Sequence, residues 1–131
     1  MSTKKGIYRL KITSEFSSSH QLRNYDGPCE NLHGHNFTVE VVVEGENLDP
    51  EIEFLMDFKK LKELLKEILS SLDHVHLNET PPFDRVNPSS ENLARHIYKE
   101  MQSRLDPYKH VSLCYVSVSE KPSSTAYYLE R

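Results

Sequence analysis

The chain lacks the features of a membrane, secreted or nucleic-acid-binding protein. No run of apolar residues approaches the roughly 18 to 20 needed to cross a bilayer. The opening Met1-Ser2-Thr3-Lys4-Lys5-Gly6 leads into no signal-like apolar stretch, so no membrane association and a cytoplasmic location are expected. Only 2 cysteines occur in 131 residues, which gives no disulfide framework. Cys29 lies in a polar segment, while Cys114 lies in an apolar run and is expected to fill core. Basic residues are not in excess. The formal net charge of -4 argues against nucleic-acid binding, yet leaves room for an anionic small substrate held by a local patch. Repeats, low-complexity segments and long linkers are also missing, and the length fits a single domain over residues 1–131.

What is present is histidine in a pattern: His20, then Cys29-Glu30-Asn31-Leu32-His33-Gly34-His35. Residues from about 6 to 20 and 35 to 45 alternate polar and apolar as half-buried strands do. In a strand, residues two apart share a face, so His33 and His35 present both imidazoles on one side. Antiparallel pairing of the two runs across residues 21–32 would bring His20 to the same end. Parity agrees: His20 falls with Tyr8, Leu10, Ile12 and Phe16, and His33 and His35 fall with Phe37, Val39, Val41 and Val43. The condition is that no bulge in Ser17-Ser18-Ser19 shifts the register. Three neutral nitrogen ligands favour zinc, and three protein ligands leave a fourth position open, as in catalytic sites. Two plainer readings remain: histidines satisfied in a core or at a surface, and a closed, non-enzymatic zinc module with Cys29 as fourth ligand.

Beyond the strands, Phe58, Leu61, Leu64, Leu65, Ile68, Leu69 and Leu72 recur at helical spacing behind Asp57, a suitable N-cap. Pro88-Ser89-Ser90-Glu91 opens a second helix carrying Leu93, Ala94, Ile97, Met101 and Leu105, and Pro107 ends it. Val111 to Glu120 reads as a third strand with Cys114, Val116, Val118 and Glu120 on one face, and Ala126 to Leu129 as a short fourth. The expectation is an α+β fold, a four-stranded antiparallel sheet with both helices on one face.

The motif C-x-x-x-H-G-H preceded by His20, with Leu72-Asp73-His74, Asn87-Pro88-Ser89-Ser90-Glu91-Asn92 and Glu120, resembles the 6-pyruvoyl-tetrahydropterin synthase and 6-carboxytetrahydropterin synthase family. The resemblance implies a tunnelling fold that closes into a barrel by oligomerisation, as a homohexamer built from two trimers. It also implies one zinc per chain on His20, His33 and His35, and a dihydroneopterin triphosphate substrate bound between subunits. It makes Cys29 the catalytic thiol, Asp73 and His74 its partner pair, and Glu120 the carboxylate that grips the pterin, with Ser89, Ser90 and Glu91 lining the pocket. A thiol with a pKa of about 8.5 needs a nearby cation or partner to act as a base near neutrality. For Asp73-His74 a helix C-terminal segment is the plain alternative, and for Ser89, Ser90 and Glu91 it is helix capping. The short chain and the Asn87-Pro88 pair look like the queuosine-pathway enzymes, which form 6-carboxy-5,6,7,8-tetrahydropterin with release of acetaldehyde and triphosphate. Lys121-Pro122-Ser123-Ser124 departs from their pattern. Glu30 beside Cys29 resembles a group that also cleaves the substrate to 6-hydroxymethyl-dihydropterin, a folate-pathway product. The 6-pyruvoyl-tetrahydropterin reaction is the remaining alternative.

Overall fold

The computed structural model describes residues 3–25 and 33–131, with His33 defined in its backbone alone. The alternating runs form β1 (Tyr8–His20) and β2 (His33–Gly45). They pair antiparallel without a break from Tyr8 opposite Gly45 to His20 opposite His33. Ser17, Ser18 and Ser19 contain no bulge, so the register needed by the histidine reading holds. Side chains of one parity are buried: Ile12, Phe16 and His20 on β1, and Phe37, Val39, Val41 and Val43 on β2. Phe16 and Phe37 face each other across the strands with ring centroids 4.9 Å apart.

That apolar face is covered by two helices. In α1 (Phe58–Ser70), Asp57 accepts from the Lys59 amide at 2.9 Å, and Leu61, Leu64, Leu65, Ile68 and Leu69 are buried. Phe58 belongs to the same spacing but is exposed; at the first helical position its side chain leans back beyond the N-terminus. Ser89 caps α2 (Ser90–Arg104), accepting from the Asn92 amide at 3.1 Å, and Leu93, Ala94, Ile97, Tyr98 and Met101 turn inward. Each fully buried apolar side chain of this kind contributes about 1.5–3 kcal/mol. The sheet is completed by β3 (Ser112–Lys121) and β4 (Ser124–Tyr128) in the order β1-β2-β3-β4, each strand antiparallel to the next.

Two features depart from simple periodicity. First, α1 is capped at Ser71, and the buried Leu72 already lies outside it. The chain then runs beside the outer edge of β1, where the His74 amide donates to the Ser17 carbonyl at 2.6 Å and the Ser19 amide to the Val75 carbonyl at 3.1 Å. A 3₁₀ turn, Leu77–Glu79, follows, anchored by the buried Leu77. Second, the pairing of β2 with β3 shifts between Val42 and Val43, which face Tyr115 and Leu113 and leave Cys114 as the extra residue. The bulge breaks the alternation that would have placed Cys114 with Val116 and Val118. Cys114 is therefore half-buried and not part of the core, and its thiol donates to the Glu44 carboxylate at 2.6 Å. Burial first, and the Glu44 carboxylate second, push this thiol up to about 11, so it stays protonated near neutrality.

Gly45, the last residue of β2, is required by close approach. A Cβ there would lie 2.5 Å from the His110 carbonyl oxygen and 2.6 Å from Leu55 Cδ1. Those neighbours are tied together, since His110 Nε2 lies 2.7 Å from the Leu55 carbonyl oxygen. Gly45→Ala is expected to destabilise the protein by about 1–3 kcal/mol through overpacking. Urea denaturation checks this, and an unchanged midpoint would mean that the His110 segment gives way without cost.

Candidate metal centre and its cleft

The unbroken register places His20 and His35 on the buried side at one end of the sheet, with His35 opposite Ser18 and the His33 backbone opposite His20. Glu120 arrives there from β3. The alternation from Val116 through Val118 continues to Glu120, and the shift in pairing with β4 between Ser119 and Lys121 leaves Glu120 as an extra residue on β3. Its Oε1 lies 3.1 Å from His20 Nε2 and its Oε2 3.4 Å from His35 Nε2. One donor atom from each of the three residues lies within 4.8 Å of the others.

The chemistry of this donor set fits a cation. His20 is buried, and its Nδ1 lies 2.8 Å from the Pro88 carbonyl oxygen. A carbonyl only accepts, so Nδ1 carries the proton and Nε2 of the neutral ring turns a lone pair toward Glu120. A lone pair and a carboxylate oxygen in contact repel unless a proton or a metal ion lies between them. Phe37 holds both rings, meeting His20 edge-on at 5.1 Å and His35 at 5.8 Å between centroids. A second-row carbonyl that orients a ligating imidazole is the usual support of such a site.

Asp73 and His74 do not continue α1, so the helix-terminus reading fails. Asp73 Oδ1 accepts from the Ser17 amide at 2.8 Å, and Oδ2 lies 2.9 Å from His74 Nδ1. The Ser17 amide, and then the His74 imidazole, hold the Asp73 carboxyl below its ordinary value. His74 takes φ 56°, a left-handed conformation that costs a non-glycine residue about 1–3 kcal/mol. Its bonds to Ser17 and Asp73 hold it there, with its side chain 81% exposed. An open cleft of about 570 Å³ is lined by residues 17–19, 34–36 and 74–76, and so takes in His35 and His74.

The Asn87–Asn92 segment approaches the centre through its backbone. Pro88 supplies the carbonyl for His20, the Ser89 hydroxyl is occupied as N-cap, Ser90 is half-buried in the first turn, and Glu91 is exposed beside it. Several supporting residues carried no signal that spacing alone would reveal. Asn78 makes two bonds to the Gln21 backbone, both 2.8 Å, and Asn87 two to the Arg23 backbone, both 2.9 Å. The two amides thus copy a strand's bonding to alternate residues and fix the chain leaving His20. Cys29 and Glu30 lie outside the described residues, as does the side chain of His33.

A four-stranded antiparallel sheet backed by two helices, with imidazole and carboxylate donors gathered at one end, defines an α+β domain with a metal-type centre. The family described as 6-pyruvoyl tetrahydropterin synthase matches over residues 9–131. A 6-carboxy-5,6,7,8-tetrahydropterin synthase of Bacillus subtilis is 34% identical over 127 residues, covering 92% of this chain and 84% of that protein. A dihydroneopterin monophosphate aldolase of Pyrococcus furiosus is 35% identical over 97 residues, covering 74% and 77%. The solved structure of the Caenorhabditis elegans 6-pyruvoyl tetrahydropterin synthase superposes with a TM-score of 0.84 at 25% identity, covering 99% of this chain and 100% of that one. The chain belongs to the 6-pyruvoyl tetrahydropterin synthase family, with its tunnelling fold, and is an enzyme that acts on pterins.

Proposed function

We propose that the protein is a zinc-dependent 6-carboxy-5,6,7,8-tetrahydropterin synthase acting on 7,8-dihydroneopterin triphosphate, with His20, His33 and His35 as the metal ligands. The observation that carries this reading is the meeting of His20, His35 and Glu120 at one end of the sheet, where His35 also lines a cleft with His74, the imidazole that Asp73 orients. Bound zinc would supply Lewis acidity that makes side-chain hydroxyls of the substrate easier to deprotonate. The remaining roles belong to the chain. Cys29 takes a proton from the substrate side chain, and His74, oriented through Nδ1 by Asp73, exchanges a proton through Nε2. Glu120 accepts from the pterin's 2-amino group and the neighbouring ring N–H, a paired donor edge that matches a carboxylate. Ser89, Ser90 and Glu91, at the start of α2, are assigned to the lining of the pterin pocket.

A second reading is favoured by the Pyrococcus relative, named as an aldolase of a phosphorylated dihydroneopterin. With Glu30 next to Cys29, carbon–carbon cleavage to 6-hydroxymethyl-dihydropterin is its counterpart here. A closed zinc module has no use for His74, held in left-handed backbone at an open cleft and braced by Asp73. Chromatography of the products formed from dihydroneopterin triphosphate tests the choice. The expected products are 6-carboxytetrahydropterin and acetaldehyde, 6-hydroxymethyl-dihydropterin as the main product would establish the second reading, and no turnover of the zinc-loaded protein would overturn both.

The pterin site is proposed to be completed by a neighbouring copy in a ring of three, two rings forming a hexamer. Strands β1 and β4 are the sheet edges, and both expose apolar side chains, Ile7 and Tyr8 at one and Tyr127 and Leu129 at the other. Edges of this kind are a liability that ring closure removes.

A further inference from the structure

One wall of the cleft carries a residue that the chemistry above does not use. His76 lies two residues beyond His74, and a parallel bridge pins its backbone to Ser19. Its Nδ1 lies 3.0 Å from Ser19 Oγ, and both residues line the cleft with His35 and Asn36. We propose that the Ser19–His76 pair, with Asn36, receives the phosphoester group of the substrate; this rests on the reading of the substrate as a phosphorylated dihydroneopterin.

Donor arithmetic carries the assignment. If the Ser19 hydroxyl donates to Nδ1, the proton of the neutral ring lies on Nε2. If Nδ1 donates to Ser19, the hydroxyl proton is turned elsewhere. Either arrangement presents one donor beyond the pair. Asn36 Oδ1 accepts from Ser17 Oγ at 2.5 Å, which turns the two Nδ2 protons of Asn36 away from Ser17. No carboxylate lines the cleft among the described residues. Asp73, the acidic group nearest in sequence, is occupied by the Ser17 amide and His74. Such a wall suits a ligand that offers only acceptors, which is what phosphate oxygens are. The cleft adjoins the donor centre at the end of the sheet, since His35 belongs to both, while Ser19 and Asn36 take the face of the sheet opposite the His35 ring. In the substrate side chain the phosphoester carbon adjoins the hydroxyl-bearing carbons, so a substrate that reaches round the end of the sheet from the centre brings its phosphate to the cleft.

The test is equilibrium binding of two pterins to the zinc-loaded full chain, dihydroneopterin and dihydroneopterin monophosphate, followed by calorimetry. The quantity read is the ratio of their dissociation constants, which isolates the phosphate. Wild-type protein should prefer the phosphorylated ligand, and His76→Ala should reduce that preference about tenfold, the scale of a lost hydrogen bond to a charged group. His76→Gln, which keeps a side-chain donor, should recover part of the preference, and Ser19→Ala should lower it by a smaller factor. If His76→Ala does not fold, the His76→Gln and Ser19→Ala ratios decide alone. An unchanged ratio in the folded variants overturns the phosphate receptor while leaving the pterin reading intact. Failure of wild-type protein to bind either pterin overturns both.

Discussion

His20→Ala is expected to empty the metal centre, leaving the purified variant with less than about a tenth of the zinc held by the unaltered protein after dialysis. Turnover is expected to fall below detection. The size of the effect follows from how His20 is held: buried, bonded through Nδ1 to the Pro88 carbonyl, and packed edge-on against Phe37, so Nε2 can point only at the centre. Among the described residues, only His35 and Glu120 join it in the donor set. Loss of the ion should also lower thermal stability, since a ligand present at about 100 times its dissociation constant stabilises the folded state by about 2.7 kcal/mol. Elemental analysis and melting curves with and without a chelator check both results, and the chelator should shift the melting point of the unaltered protein alone. Glu120→Gln supplies the contrast. If Glu120 grips pterin, as proposed, the three imidazoles keep zinc in this variant while pterin affinity drops by tenfold or more, because the amide offers one acceptor where the carboxylate offered two. Zinc lost equally from Glu120→Gln would make Glu120 a metal ligand and remove its assignment to pterin. Full occupancy in a His20→Ala, His35→Ala double variant would remove the metal assignment itself.

The sides of the sheet taken by His20 and His35 were legible because alternation is unbroken on β1 and β2. From Tyr8 to His20 and from His33 to Gly45 each residue has one partner, so parity along the sequence is also the side of the sheet. Glu120 was legible for a related reason. Its side of β3 follows from Val116 and Val118 on the same strand, whatever the pairing with β4 does beyond Ser119. Cys114 shows the limit. A bulge adds one residue without a compositional mark, so its parity with Val116 pointed to a core that it does not enter. The path of residues 72–76 was hidden by Leu72, which extends the spacing of Leu65 and Leu69 after the helix has been capped. A helix tail was consequently the plain alternative for Asp73 and His74 on spacing alone, although they form the covering of a strand edge. His76 left a visible sign, the same H-x-H spacing as His33 and His35, but only the bridge to Ser19 gives that spacing a meaning.

Two inactive variants are expected to restore activity to each other when mixed. Cys29→Ala and His74→Ala should each reduce turnover by a factor of about 10² to 10⁴, the contribution of a positioned proton-transfer group. If Cys29 and His74 act on one substrate from different subunits, dissociating and reassembling the two proteins together should return active sites. The placement of His74 is the physical ground for this. Its ring is 81% exposed on the outer edge of β1, whereas the donor set lies on the helix-facing side. Glu120 meets His20, so the turn from β3 to β4 and the C-terminal end of β1 occupy the same end of the sheet. When β1 of one copy meets β4 of the next, His74 of the first copy therefore comes to the end of the second where Glu120 stands. In a ring assembled at random from equal amounts of the two variants, roughly a quarter of the interfaces pair an intact thiol with an intact imidazole. Activity should rise to about that fraction of the unaltered enzyme, and not in a mixture kept from exchanging subunits. Zinc content should stay the same throughout, which separates this result from rescue of a damaged metal centre. Reassembled mixtures that stay as inactive as their parents would place Cys29 and His74 in the same chain and end the case for a shared site.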